Sequence, residues 1–223
     1  MARNKLKKFK ETSEFYHFFQ PTRQELLDGF ELRGKWNEIF FKNDVPLIIE
    51  IGCGRGEYVV ELSQKFPNKN FIGIDKKGAR MWTGAKYTIE QNITNVAFLR
   101  ILAEDVNLAF APNEVDEIWI TFPEPQPKKS KEAKRFTSPE FLKRYAQILK
   151  PNAVINLKTD NTDFFNYTLS VIEKYNHEIL HVTEDLYAQN NLNDNEILNI
   201  KTHYESIWLD KGLTIKYLKF RLK

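Results

Sequence analysis

The stretch Leu47-Ile48-Ile49-Glu50-Ile51-Gly52-Cys53-Gly54-Arg55-Gly56-Glu57 constrains this chain more than any other. Its short apolar run reads as a buried parallel strand, and the glycines at every second position leave it by a turn that favours residues without side chains. Bare backbone lets a nucleotide-like ligand lie directly on the chain. The spacing is not the dinucleotide fingerprint, whose third glycine would fall at Glu57, and no lysine of a phosphate-cradling loop follows. Glu50, at the strand's end, argues against a phosphate ligand and for a cationic one. Taken alone, such a turn also reads as a tight bend between strand and helix.

Downstream, Asn70-Phe71-Ile72-Gly73-Ile74-Asp75 repeats the pattern of an apolar strand ending in a carboxylate. Asp75 then stands at the tip of the neighbouring strand, where paired ribose hydroxyls need a bidentate acceptor. S-adenosylmethionine fits both acids, with a sulfonium and an ammonium beside a ribose. Asp75 also reads as the cap of a helix beginning at Lys76, and one loop can serve both roles.

A chain of 223 residues with 42% hydrophobic content supports one sizeable core rather than two. From Val45 onward strand and helix alternate, which predicts a sheet covered on both faces over residues 45–223. Expected strands are 47–51, 70–75, 95–101, 115–121, 153–158, 178–183 and 214–220. The last two break the alternation, so a closing antiparallel strand is expected there. Residues 1–44 form an extension. Arg3, Lys5, Lys7, Lys8 and Lys10 crowd its first ten residues, which read as a disordered tail suited to a polyanion although the net charge is only +3. Phe15, Tyr16, Phe18, Phe19, Trp36, Phe40 and Phe41 read as packing against the domain rather than as base-stacking surface. The single cysteine, Cys53, rules out a disulfide framework and a cysteine-based zinc site, and His17 and His203 have no convincing partner. No apolar run is long enough to span a bilayer and no hydrophobic signal core follows the N-terminal cations, so a cytoplasmic protein is expected.

The most specific stretch is Phe122-Pro123-Glu124-Pro125-Gln126-Pro127-Lys128-Lys129, leaving the carboxyl end of the 115–121 strand. Ligands of open parallel sheets bind at such ends, and the interleaved prolines hold Glu124 in place. The basic run Lys128, Lys129, Lys131, Lys134 and Arg135 suits RNA phosphates, or is a solvated loop.

With these stretches, Lys158-Thr159-Asp160 and Thr202-His203-Tyr204-Glu205 complete an ordered set that resembles bacterial tRNA (guanine-N7-)-methyltransferases from about residue 35 to the C-terminus. The resemblance implies a class I S-adenosylmethionine-dependent methyltransferase fold, Rossmann-like α/β, with a mostly parallel seven-stranded sheet. It implies methyl transfer from S-adenosyl-L-methionine to N7 of a guanine in the tRNA variable loop, with S-adenosyl-L-homocysteine as product and no metal. Carried over by position, Glu50, Gly52, Gly54, Asp75, Leu102 and Glu124 face the cofactor, and Glu124 is also the catalytic acid. Lys128, Asp160, Thr202 and Glu205 match substrate-binding positions. The tRNA is the partner implied, with no membrane and no obligatory protein partner.

Four positions of the proline-rich run depart from the family pattern. Glu124 replaces aspartate, Gln126 replaces tryptophan, and Ser130-Lys131 replace Arg-His. The acid expected after the third strand falls at Leu102, which leaves adenine to backbone at Leu102 and Ala103 or to Glu104. Helix capping also explains the pairs Thr202 with Glu205 and Asp160 with Asp163. A methyltransferase acting on another RNA or a small molecule shares everything up to Asp75. A non-catalytic binding protein on the same fold would tolerate substitution of Gly52 or Gly54.

Overall fold

The computed structural model describes residues 2–188, 200–201 and 203–223, apart from the side chains of residues 2–5, 203 and 204. Thr202 and the asparagine-rich stretch 190–195 therefore lie outside the described residues. Among the described residues one sheet of eight strands runs in the order β1-β4-β3-β2-β5-β6-β8-β7. The strands are β1 (Phe18–Phe19), β2 (Leu47–Ile51), β3 (Asn70–Ile74), β4 (Val96–Leu99), β5 (Val115–Thr121), β6 (Leu149–Thr159), β7 (Glu178–Thr183) and β8 (Lys216–Arg221). Neighbours from β1 to β6 are parallel, and β8 runs antiparallel to both β6 and β7. This is the expected closing arrangement. The expected seven strands become eight because Phe18 and Phe19, within the N-terminal extension, pair with Phe98 and Leu99.

Side chains alternate across a strand, so each central strand feeds two cores. Leu47, Ile49 and Ile51 of β2 join Trp36, Phe110, Tyr145 and Phe164 on one face. Ile48 joins Tyr58, Phe71, Met81 and Trp119 on the other. Every residue of β2 and β3 is buried, which fixes their register, because a one-residue slip would exchange the two faces. The helices α3 (Glu57–Lys65) and α4 (Gly78–Glu90) cover the second face, and α2 (Arg23–Gly29), α5 (Val106–Ala109), α6 (Pro139–Ala146) and α7 (Thr162–Lys174) cover the first. Ser138 caps α6 with Pro139 behind it, accepting from the Phe141 amide at 3.4 Å. For α7 the capping expectation is corrected. Asn161, not Asp160, accepts from the Phe164 amide at 2.8 Å, which leaves the Asp160 carboxylate outside the cap.

The N-terminus departs most from its sequence reading. Residues 2–14 form helix α1 (Ala2–Glu14) instead of a disordered tail. Its dock is α4, where Trp82 Nε1 donates to Glu11 Oε2 at 2.6 Å and Lys8 Nζ lies 4.3 Å from the Trp82 ring. Phe9 stacks beneath the Arg100 guanidinium at 4.9 Å. The apolar minority of a charged segment suffices once a complementary face exists. Further on, Trp36 is fully buried, edge-on to Phe19 at 5.2 Å and stacked on Phe110 at 5.7 Å. Most of the extension's aromatics pack, as expected, but Tyr16 stays 60% exposed. His17 does find a partner: its Nε2 lies 2.8 Å from Thr88 Oγ1, and burial pushes the imidazole down to about 4, so it stays neutral. Among the described residues no helix is long and apolar enough to cross a membrane.

Candidate active site

A cleft of about 450 Å³ opens where β2, β3, β5 and β6 end, the position at which open parallel sheets bind ligands. Its floor is the glycine turn. Gly52, Gly54 and Gly56 take φ of +79°, +58° and +79°, left-handed values that disfavour side chains. The three have different reasons for being glycine. A Cβ on Gly52 would stand 2.7 Å from the Phe136 ring and one on Gly56 2.6 Å from the Phe98 ring, whereas one on Gly54 would meet nothing nearer than 4.0 Å. Gly54 is therefore the position where bare backbone faces open space, and Gly52 serves mainly the packing of Phe136.

Three carboxylates stand around this floor in unlike surroundings. Glu50 is 1% exposed, and its carboxylate accepts from the Thr121 hydroxyl and from the Val59 amide at 3.1 Å. Burial pushes it up to about 7, with nearby Asp75 and Glu57 adding to the rise. Near neutral pH it is thus poised between charge states, and an adjacent cation would draw it into the ionised form. Asp75 is held rigid, Oδ2 accepting from the Gly54 amide at 3.1 Å and Oδ1 from the Lys77 amide at 2.8 Å. Its capping reading is corrected: α4 begins at Gly78 with Lys77 at its N-cap and no side-chain cap bond, so Asp75 only orders the turn before the helix, and each of its oxygens keeps a lone pair for another donor.

Glu124 is the exposed one. It lines the same cleft as Gly54 and Asp75, with its side chain 70% exposed and paired to Lys77 Nζ at 3.3 Å. Lys77 holds its carboxyl below the usual carboxylate range. Gln126, in the place of the expected tryptophan, donates to Glu124 Oε2 at 3.1 Å. Phe122 and Gln126, each preceding a proline, both have φ of +47°. Non-glycine residues adopt such angles at a cost of order 1–3 kcal/mol each, and only where surrounding contacts over-determine them. Those contacts are visible: the Phe122 amide donates to Lys158 O at 2.9 Å, and Arg135 Nε donates to Gln126 O at 3.2 Å while its guanidinium covers the Tyr167 ring at 4.1 Å. Arg135, read as part of a basic run suited to phosphates or solvated, braces this loop.

Of the remaining expected site residues, Asp160 lines the cleft. Leu102 does not; its neighbours Ala103 and Glu104 do, because a 3-10 turn over Ala103–Asp105 swings them inward and leaves Leu102 46% exposed. Lys128 also lies off the wall, whereas Lys134 of the same basic run is on it. Glu205, on helix α8 (His203–Asp210), does not line the cleft. It is fully buried, 2.7 Å from Lys158 Nζ and accepting from the Tyr187 hydroxyl at 2.7 Å. Burial pushes the Lys158 ammonium down and Glu205 opposes that push. The sequence reading missed Tyr58, Phe136, Lys77, Arg80 and Trp208 on the wall. One signal was available: a lysine inside the apolar run 153–158 demands a buried acid, and that acid's helix carries Trp208 one turn on. Among the described residues no cluster of His, Cys, Asp or Glu could hold a metal ion.

Comparison with known proteins agrees with this geometry. A protein-family model described as a methyltransferase matches residues 44–218. The chain is 48% identical over 223 residues to the tRNA (guanine-N(7)-)-methyltransferase of Christiangramia forsetii, covering 100% of this chain and 99% of that one. It is 48% identical to the protein of the same name from Bacteroides thetaiotaomicron, over 100% of this chain and 87% of the other. Among solved structures, the 16S rRNA methyltransferase KamB superposes with a TM-score of 0.62 over 85% of this chain and 93% of its own, at 12% identity, a likeness of fold alone. By full-length similarity and by the order of its site motifs, this chain belongs to the tRNA (guanine-N7-)-methyltransferase family.

Proposed function

We propose that the protein methylates N7 of a guanine in the variable loop of tRNA, using S-adenosyl-L-methionine. The observation that carries this reading is the sharing of one cleft by the open glycine turn at Gly54, the rigid acceptor Asp75 and the exposed acid Glu124. The wall fits the cofactor: the bare backbone at Gly54 can take its nucleoside, Asp75 its ribose hydroxyls, Ala103 and Glu104 its adenine, and the buried carboxyl of Glu50 its cationic end. When bound, the cofactor supplies an electrophilic methyl carbon on a sulfonium.

Guanine N7 carries its lone pair at neutral pH, so no general base is needed. The chain's task is alignment, together with negative charge near a base that becomes cationic as it is methylated. Glu124 does both, accepting from the guanine N1–H and exocyclic amine. Lys77, its present partner, is half exposed and can turn to a phosphate or to water when the base arrives. Asp160 faces the base from the β6 side. Lys134 and Lys128 on the basic loop, with the lysines of α1, hold the tRNA backbone by charge.

Incubation of the purified protein with unmodified tRNA and methyl-labelled cofactor tests the reading. Label is expected at one variable-loop guanine, in an alkali-labile nucleoside. Label on a nucleotide outside that loop, on ribosomal RNA alone, or on no RNA overturns it.

A further inference from the structure

The Lys158–Glu205 pair has the strongest geometry of any ion pair described here, yet neither residue lines the cleft. Lys158 sits on β6 two residues before Asp160, its side chain and that of Glu205 both 0% exposed and 2.7 Å apart. The same ammonium donates to Ile200 O at 3.0 Å and lies 5.3 Å from the ring of Tyr58, a wall residue. One buried cation thus ties the sheet both to Ile200, ahead of α8, and to the first turn of that helix. A helix as short as α8 is not stable on intrinsic propensity alone, so its position is set by this tether and by Ile200, Trp208 and Leu209 packed on the second core.

The tether delivers Trp208, one turn past Glu205 and partly exposed on the cleft wall. Its ring already attracts a cation, with Lys211 Nζ 4.6 Å from the centroid. Of the other positions on the wall, Gln126 supplies no aromatic surface, Tyr58 is buried, Phe136 lies over Gly52, and Phe122 is held in the braced turn just before Glu124. A purine entering beside Glu124 and Asp160 needs a flat partner, and one that gains positive charge during reaction is held increasingly well by an indole face.

We propose that Trp208 is the stacking platform for the target guanine and that the buried Lys158–Glu205 pair is the positioning device that holds it there. This rests on the methyl-transfer reading above and assigns to Glu205 an indirect role, through Lys158 and α8, in place of direct contact with the base.

The test measures kcat and KM on tRNA, with calorimetry of S-adenosyl-L-homocysteine as a control for an intact cofactor side. Absence of any tRNA methylation by the parent protein sinks the functional reading itself; where the parent is active, the variants interrogate the platform alone. Trp208→Ala is expected to lower kcat/KM for tRNA by about tenfold or more, with homocysteine-product affinity within about twofold, and Trp208→Phe to recover most of the loss. Full activity in Trp208→Ala, or a Trp208→Phe protein as impaired as the alanine variant, overturns the platform. Lys158→Met strands the Glu205 charge and is expected to damage both folding and activity. The paired variant Lys158→Met/Glu205→Leu, which replaces two charges by apolar groups of similar size, is expected to fold and to return tRNA kcat/KM to within about fivefold of the parent. A paired variant that binds cofactor product normally but stays as inactive as Lys158→Met shows that Glu205 acts on the base itself, and the positioning role is then wrong.

Discussion

Two lysine–glutamate pairs lie within reach of one cleft and behave as opposites. Lys158–Glu205 is 2.7 Å long with both side chains 0% exposed, whereas Lys77–Glu124 is 3.3 Å long with side chains 40% and 70% exposed. Separating the first would leave a charge among apolar side chains, so the pair is permanent and can only position what it is attached to. Separating the second returns both groups to water at little cost, so its carboxylate remains available to a substrate. The same pairing thus fixes architecture when buried and leaves a carboxylate available when exposed. Glu50 stands between these extremes, buried like the first pair but without a cation of its own among the contacts described.

The widest separation of the two pairs is expected in stability. Lys158→Met should cost about 3–5 kcal/mol in denaturant unfolding and Lys77→Met less than about 1 kcal/mol. Equal costs would erase the distinction. Next, Glu124→Gln should lower kcat by about 10²–10³-fold while calorimetry finds cofactor-product binding within a few fold, because the lost charge acts on the reacting base. Normal turnover in that variant would remove Glu124 from the chemistry.

Glu50 predicts a pH dependence whose sign follows from its position near 7 in the folded chain against an ordinary 4.5. Between those values the folded state holds the proton more tightly than the unfolded state, so the stability Glu50 contributes is present below 4.5 and is lost as pH rises through 7. A cationic ligand favours the ionised form, so binding of the cofactor product should tighten from about pH 5.5 to about pH 7, by at most about tenfold per unit, and then level off. Proton release on binding, read in buffers of different ionisation heat, measures the linkage. Glu50→Gln should flatten the profile, and a flat parent profile would separate Glu50 from the ligand's cation. The smallest effect is expected at the far end of the basic surface: changing Lys7, Lys8 and Lys10 to Gln should weaken tRNA binding a few fold and make it less salt-dependent, leaving cofactor-product binding unchanged.

Most of the frame could be read from the chain because it is local. Apolar runs ending in Glu50 and Asp75, glycines spaced by two, and proline-bounded Glu124 each announce themselves within a dozen residues, and strand–helix alternation then brings their ends to one edge. The family pattern located the acids, and the structure sorted them by burial. Of the three residues expected around the adenine, Ala103 and Glu104 line the cleft and Leu102 does not, since a short 3-10 turn shifts which side chain faces inward without altering the sequence pattern.

From Val45 onward the order of strands and helices, the glycine turn, and the identity of the acids on the strand tips were thus determined by sequence alone, because each depends on residues that are neighbours in the chain. Only the tertiary structure decided that Glu205 is spent on Lys158, that Asn161 takes the cap and frees Asp160, and that α1 lies on α4. Each of these is a choice among partners distant in sequence, settled by which polar group loses its water and must be satisfied where it is buried.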